Sequence, residues 1–280
     1  MGKFARSWTL MKASASVLRS DKELMVFPLF SAMASLVVIA SFALPIIFGA
    51  MHGEHFDQRR MEPIQYVLMG AFYLVQYTII IFFNTALIGA AMIRLDGGNP
   101  TVADGFRIAW SRIGTILGYA LIAATVGVFL RALQQRLGFI GRIVAGFLGL
   151  GWTVATFLVV PVLAHEGLGP FQSLKRSVQL LRNTWGENLI GNAGLGVVFG
   201  LGTFLVMLCG AGLIVGAAFT GSATLIIAVI VALVIAMVLL GLVQAALHGI
   251  YSAALYRYSN GEEPGTGFDR QMLENAFRTK

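Results

Sequence analysis

The chain has 280 residues, 57% of them hydrophobic and only 12% charged, about half the charged share of a soluble domain. That composition excludes a soluble globular protein, and the clustering of the 20 Lys and Arg at the ends of long apolar runs argues against a nucleic-acid surface despite the net charge of +7. Cys209 is the only cysteine, so no intrachain disulfide can form.

The first 23 residues carry Lys3, Arg6, Lys12, Arg19 and Lys22. This lead-in is too long and too charged for the n-region of a cleaved signal, so the first span is expected to stay in the mature chain. Within it, residues 4–19 read as an amphipathic helix whose apolar face is Phe4, Trp8, Met11, Ala15 and Leu18. Its place before a span predicts that it lies in the headgroup plane with Trp8 at the interface.

Six spans follow, at about Leu24–Ala50, Ile64–Ile93, Ile113–Leu130, Ile143–Leu163, Leu189–Phe219 and Ala223–Tyr256. They pair as three hairpins of an all-α, polytopic membrane protein, read as a single integral membrane domain. His52 and His55, in the polar loop of the first hairpin, have a spacing that can serve a metal but suits a solvated loop better. Between the hairpins come Gly/Pro breaks, each followed by an amphipathic segment, at 103–112, 171–185 and, after the last, 269–280. Thr101 or Asp104 is expected to cap the first of these. Leu174, Val178, Leu181 and Trp185 mark the apolar face of the second, with Lys175, Arg176 and Arg182 around the other side. Trp8, Trp110 and Trp185 occupy equivalent places beside the three hairpins.

Fifteen of the 20 Lys and Arg fall on the side of the membrane that holds both termini, which the positive-inside rule makes cytoplasmic. The loop Arg131–Arg142 dissents, with three arginines and no acid on the outer side, which predicts irregular or re-entrant structure there. On this topology the amphipathic segments form a cytoplasmic collar, and Lys175, Arg176, Arg182, Trp8, Trp110 and Trp185 are expected to meet anionic lipid headgroups.

No Asp, Glu, Lys or Arg lies centrally in any span, which disfavours ion-coupled transport. Gln76, Asn84, Gln244 and His248 are the polar residues available to line a path, although packing hydrogen bonds account for such residues more often. Gly196 with Gly200 and Gly212 with Gly216 form small-residue faces for close packing within the chain or between copies. No catalytic motif, cofactor loop or metal constellation is visible, so none of these groups is expected.

The strings Phe4-Ala-Arg-Ser-Trp8, Leu18-Arg-Ser-Asp21-Lys-Glu-Leu24, Phe27-Pro28-Leu29 and Thr184-Trp185-Gly-Glu-Asn188-Leu189 resemble an uncharacterised prokaryotic family of integral membrane proteins, classed as a domain of unknown function. That resemblance implies residence in the cytoplasmic membrane. The hairpin plan is also distantly similar to the membrane domains attached to some glycerophosphodiester phosphodiesterases. The 280 residues hold no such catalytic domain, so the likeness implies no phosphodiesterase activity. Three functional classes follow in order: a non-enzymatic scaffold or binder of lipid or another apolar molecule, as a homo-oligomer; a facilitator or channel for a small solute; and an intramembrane enzyme working through loop residues such as His165 and Glu166.

Overall fold

A computed structural model of the chain describes residues 3–52, 63–136, 138–185, 194–269 and 273. Among them the regular structure is helical throughout: α1 (Lys3–Ser20), a 3-10 turn at Lys22–Met25, α2 (Val26–Met51), α3 (Pro63–Leu95), α4 (Val102–Ser111), α5 (Ile113–Arg136), α6 (Gly138–Ala155), α7 (Val159–His165), α8 (Pro170–Trp185), α9 (Gly194–Phe219) and α10 (Ala223–Ser259). Six stretches of these helices are long and apolar enough to cross a membrane: α2, α3, α5, α6 with α7, α9 and α10. The protein is therefore a multi-pass membrane protein.

The chain divides into two compact units. The first holds residues 1–25, 91–99 and 184–280. Here α1 packs on α9 and α10, and α10 is buried from Ala246 through Tyr256 except at His248. The C-terminal strap after α10 is fixed by backbone and charge. Thr266 donates its N–H to the Leu95 carbonyl at 3.0 Å, and Arg257 pairs with Asp96 and donates to the Glu263 carbonyl at 2.9 Å. Gly265 has a φ of +100°, and a β-carbon there would lie 2.6 Å from Leu95 Cβ and closer to its carbonyl oxygen; only glycine fits. The hairpin turn between α9 and α10 closes at Gly221, with φ +69°. Ser222 then caps α10 by accepting from the Leu225 N–H at 3.4 Å.

The second unit holds residues 26–90 and 100–183. Its first hairpin is joined by aromatic contacts, Phe42 on Phe72 at 5.3 Å and Phe30 on Phe83 at 6.5 Å between ring centroids. Phe106 of α4 joins Phe27, Phe30, Phe82 and Phe83 in one aromatic cluster.

One expectation is corrected. The Arg131–Arg142 segment is not an irregular loop in its described residues, because α5 continues as regular helix to Arg136 and α6 starts at Gly138. Arg131 is anchored there, donating to the Tyr73 hydroxyl. The irregularity lies instead at the other end of the fourth span, where α6 stops at Ala155 and α7 begins at Val159. Pro161 supplies the reason: it has no N–H for the Phe157 carbonyl, so the helical ladder cannot run through. The 269–280 segment lies outside the described residues apart from Asp269 and Leu273, the latter fully buried.

Candidate functional site

Three amphipathic helices, α1, α4 and α8, stand next to spans, and each packs in the same way. In α1 the buried stripe is Leu10, Ala13, Ser14, Val17 and Leu18, at steps of three and four along one face. Trp8 stays 48% exposed, with the Lys12 ammonium 5.7 Å from its ring centroid, a cation–π distance. In α8 the buried stripe is Ser173, Ser177, Leu180 and Leu181, while Phe171 is 73% exposed and Val178 also faces out. In α4, Gly105 and Ala109 are buried and Trp110 is 70% exposed. The predicted faces of α1 and α8 are thus rotated by about one residue, roughly 100°. Each inward face mixes small residues with leucines, Ala13 and Ser14 beside Leu10 and Leu18 in α1 and Ser173 and Ser177 beside Leu180 and Leu181 in α8, while Trp8, Trp110 and Phe171 stay on the outer side.

The inward faces do identifiable jobs. A β-carbon on Gly105 would come 2.8 Å from the Ala86 carbonyl oxygen, so α4 lies directly on the α3 backbone. Its start is fixed by a reciprocal cap: Thr101 Oγ1 accepts from the Asp104 N–H at 3.2 Å and Asp104 Oδ2 accepts from the Thr101 N–H at 3.0 Å. The hydroxyl of Thr101 also donates to Asp104 at 2.6 Å. The Thr101 side chain and backbone hold the Asp104 carboxyl below the usual carboxylate range, with Arg107 at 3.3 Å adding a smaller pull.

Ser177 of α8 repairs the break between α6 and α7. Its hydroxyl donates to the Ala155 carbonyl at 2.7 Å and accepts from the Leu158 N–H at 3.2 Å. Both are backbone groups that the interrupted helix leaves unpaired, and Ser177 and Leu158 are fully buried. Broken backbone at membrane depth is tolerated only where protein covers and satisfies it. The α7–α8 loop is tied down by Glu166, which takes the Arg176 guanidinium at 3.1 Å, and by Pro170, seated on Gly118 so closely that a β-carbon there would lie 2.6 Å from its ring.

Of the expected headgroup contacts, Lys175 and Arg182 are exposed, as are Trp8 and Trp110. Arg176 is turned inward to Glu166 instead. The side chain of Trp185 lies outside the described residues. Among the expected polar lining residues, Gln76 and Asn84 belong to one unit and Gln244 and His248 to the other. Gln76 carries a buried amide oxygen with no hydrogen-bond partner, and Asn84 is half-buried. Near them in that unit, the buried Tyr119 hydroxyl is bonded to the Thr156 side chain at the helix break. Gln244 and His248 face outward on α10.

Among the described residues, Gly200, Gly212 and Gly216 have open space where a β-carbon would go, and the close contact on α9 is Gly210 against Leu233. The packing around Gly196 lies outside the described residues. His52 Nδ1 is 2.8 Å from the Phe48 carbonyl, while His55 lies outside the described residues. Among the described residues no group of three metal-type side chains converges.

Reasoning from sequence missed Ser177 and Arg112, both discussed further below. Ser177 had a signal in Pro161, which announces a break that some hydroxyl or amide must repair; Arg112 had none.

No curated protein matches the chain. A model for a family of unknown function, DUF6159, matches residues 63–268. That stretch includes the Thr184–Leu189 string and leaves out the N-terminal one. With most of its length covered, the chain belongs to DUF6159, a family of unknown function.

Proposed function

We propose that this protein is a non-enzymatic membrane component, a scaffold or binder of lipid, that holds anionic headgroups through the exposed faces of its amphipathic helices, α1 in one unit and α4 and α8 in the other. The observation that carries this reading is shared by those helices: one face is packed inward, and Trp8, Trp110 and Phe171 are exposed beside the exposed cations Lys12, Arg107, Lys175 and Arg182. Exposed aromatics cost little in the headgroup layer, where an amphipathic ring has both an apolar and a wet side, and adjacent cations gain from anionic lipid. The charge bias along the chain supports a cytoplasmic position for these helices and both termini, in a prokaryotic inner membrane. The open faces at Gly200, Gly212 and Gly216 support a homo-oligomer.

Thermal unfolding in nanodiscs tests the reading. Replacing part of a phosphatidylcholine bilayer with phosphatidylglycerol is expected to raise the melting temperature, and Lys175→Gln with Arg182→Gln to remove most of that gain. An unchanged melting temperature across the two bilayers overturns it.

A second reading, a facilitator for a small solute, has one specific observation behind it: the unpartnered buried oxygen of Gln76 in the unit that also holds the Tyr119–Thr156 pair. Flux of small solutes into proteoliposomes that falls with Gln76→Leu would favour it.

A further inference from the structure

The collar contains one cation whose setting none of the contacts above explains. Arg112 follows α4 directly, and its side chain does not extend into solvent. Its guanidinium lies against Gly167 of the α7–α8 loop, so closely that a β-carbon on Gly167 would fall 2.8 Å from Nη2 and nearer still to Cζ and Nη1. Gly167 has a φ of +63°, which favours glycine and leaves the face above it clear. The Nε of Arg112 is sealed from solvent with no hydrogen-bond partner. The carboxylate next to Gly167 in sequence, Glu166, is engaged by Arg176.

A half-buried guanidinium with a dry, unpaired N–H is costly unless an anion completes it. Its surroundings say where that anion would come from. Trp110, two residues before Arg112, and Phe171, in the first turn of α8, are both largely exposed, as expected of aromatics at headgroup level. The planar fork of arginine matches two oxygens of a phosphate at once. The first turn of α8, three residues beyond Gly167, adds the positive end of its dipole to the same sign of charge.

We infer that Arg112 and Gly167 form a seat for one phosphate group, supplied by the headgroup of an anionic glycerophospholipid. Gly167 provides the cleared floor, Arg112 the bidentate donors, and the exposed Lys175 and Arg182 the wider attraction that gathers anionic lipid. The seat rests on the collar reading above, and it adds to it a single, saturable site.

Native mass spectrometry of the full-length protein, released from bilayers of phosphatidylcholine with phosphatidylglycerol, tests the seat. Wild type is expected to keep one phosphatidylglycerol through detergent washing. Arg112→Gln should lose it, with apparent affinity down about tenfold or more, the loss of one charge-assisted pair. Arg112→Lys, which retains the charge and the fold-compatible length but not the fork, should hold it several-fold more weakly than wild type. Lys175→Gln with Arg182→Gln should keep the bound lipid while weakening the general preference for anionic bilayers. If both Arg112 variants retain the lipid as wild type does, the seat is overturned while the collar reading stands. If wild type shows neither a retained lipid nor any preference for anionic bilayers, both fall. If millimolar inorganic phosphate alone stabilises wild type but not Arg112→Gln, and no lipid is retained, the assignment to a lipid is overturned in favour of a free phosphate.

Discussion

Two stretches of a single helix show how this molecule divides its apolar surface. Along α10, residues 223–241 are mostly exposed, with Ile227, Val231, Val234, Ile235 and Leu239 all open on the surface. From Ala246 to Tyr256 every residue but His248 is buried, including Ile250, Leu255 and Tyr256. The first stretch is the more apolar of the two and the second carries His248, Tyr251, Ser252 and Tyr256, so burial here follows the partners and not the hydropathy. A helix of 37 residues is about 55 Å long, nearly twice the hydrocarbon thickness of a bilayer. The first stretch has few protein partners among the described residues, as a membrane-crossing helix facing lipid tails would. The second meets α1, the 3-10 turn and the C-terminal strap, and there close packing sets the stability.

That contrast can be broken or sharpened by substitution. The largest effect is expected in the packed stretch: Tyr256→Ala empties a fully buried site and should cost about 3–5 kcal/mol, read as a fall in melting temperature in mild detergent. Gly265→Ala should cost about 1–3 kcal/mol, from the left-handed backbone alone, and more if the strap cannot back away from the Leu95 carbonyl. In the exposed stretch, Val234→Ala should stay within about 0.5 kcal/mol; a loss comparable to that of Tyr256→Ala would mean that a protein partner, and not lipid, covers this face.

The smallest effect is one of pH. Asp21, just after α1, is buried with one carboxylate oxygen unpartnered. Burial raises its pKa above the ordinary 3.8, against smaller opposing pulls from the Glu23 backbone N–H and from Arg94. A carboxyl whose folded pKa is raised contributes stability that is complete below its unfolded value and is lost as pH rises through the folded one. The wild-type protein should therefore lose some stability as pH rises from 4 through the folded pKa, and Asp21→Asn should flatten that slope. Melting curves across this range check the sign, and an Asn variant with the wild-type slope would contradict it.

The spans were legible because length and hydropathy suffice for them, and the capping of α4 was legible because Thr101 and Asp104 stand three apart. The inner faces of α1 and α8 were less legible: Ser14, Ser173 and Ser177 are buried beside Leu10, Leu18, Leu180 and Leu181, while Trp8 and Val178 are exposed, because periodicity along one helix does not say which of its sides meets protein. The Ser177 bridge and the stacking of Arg112 on Gly167 join residues 19 or more positions apart, beyond the reach of any local pattern. Pro161 was visible as a helix breaker, but which hydroxyl would mend the break was not.

The central claim is that the outward aromatics of the collar lie among lipid headgroups, and the depth of Trp110 tests it most directly. A variant with Trp8, Trp152 and Trp185 replaced by Phe keeps Trp110 as the only tryptophan, and can be reconstituted with lipids brominated at different depths. The expected result is strong quenching by bromine near the headgroup end of the acyl chains, falling as the bromine moves deeper, with weak quenching by aqueous acrylamide. Efficient acrylamide quenching with no response to brominated lipid at any depth would put Trp110 in water and contradict the claim.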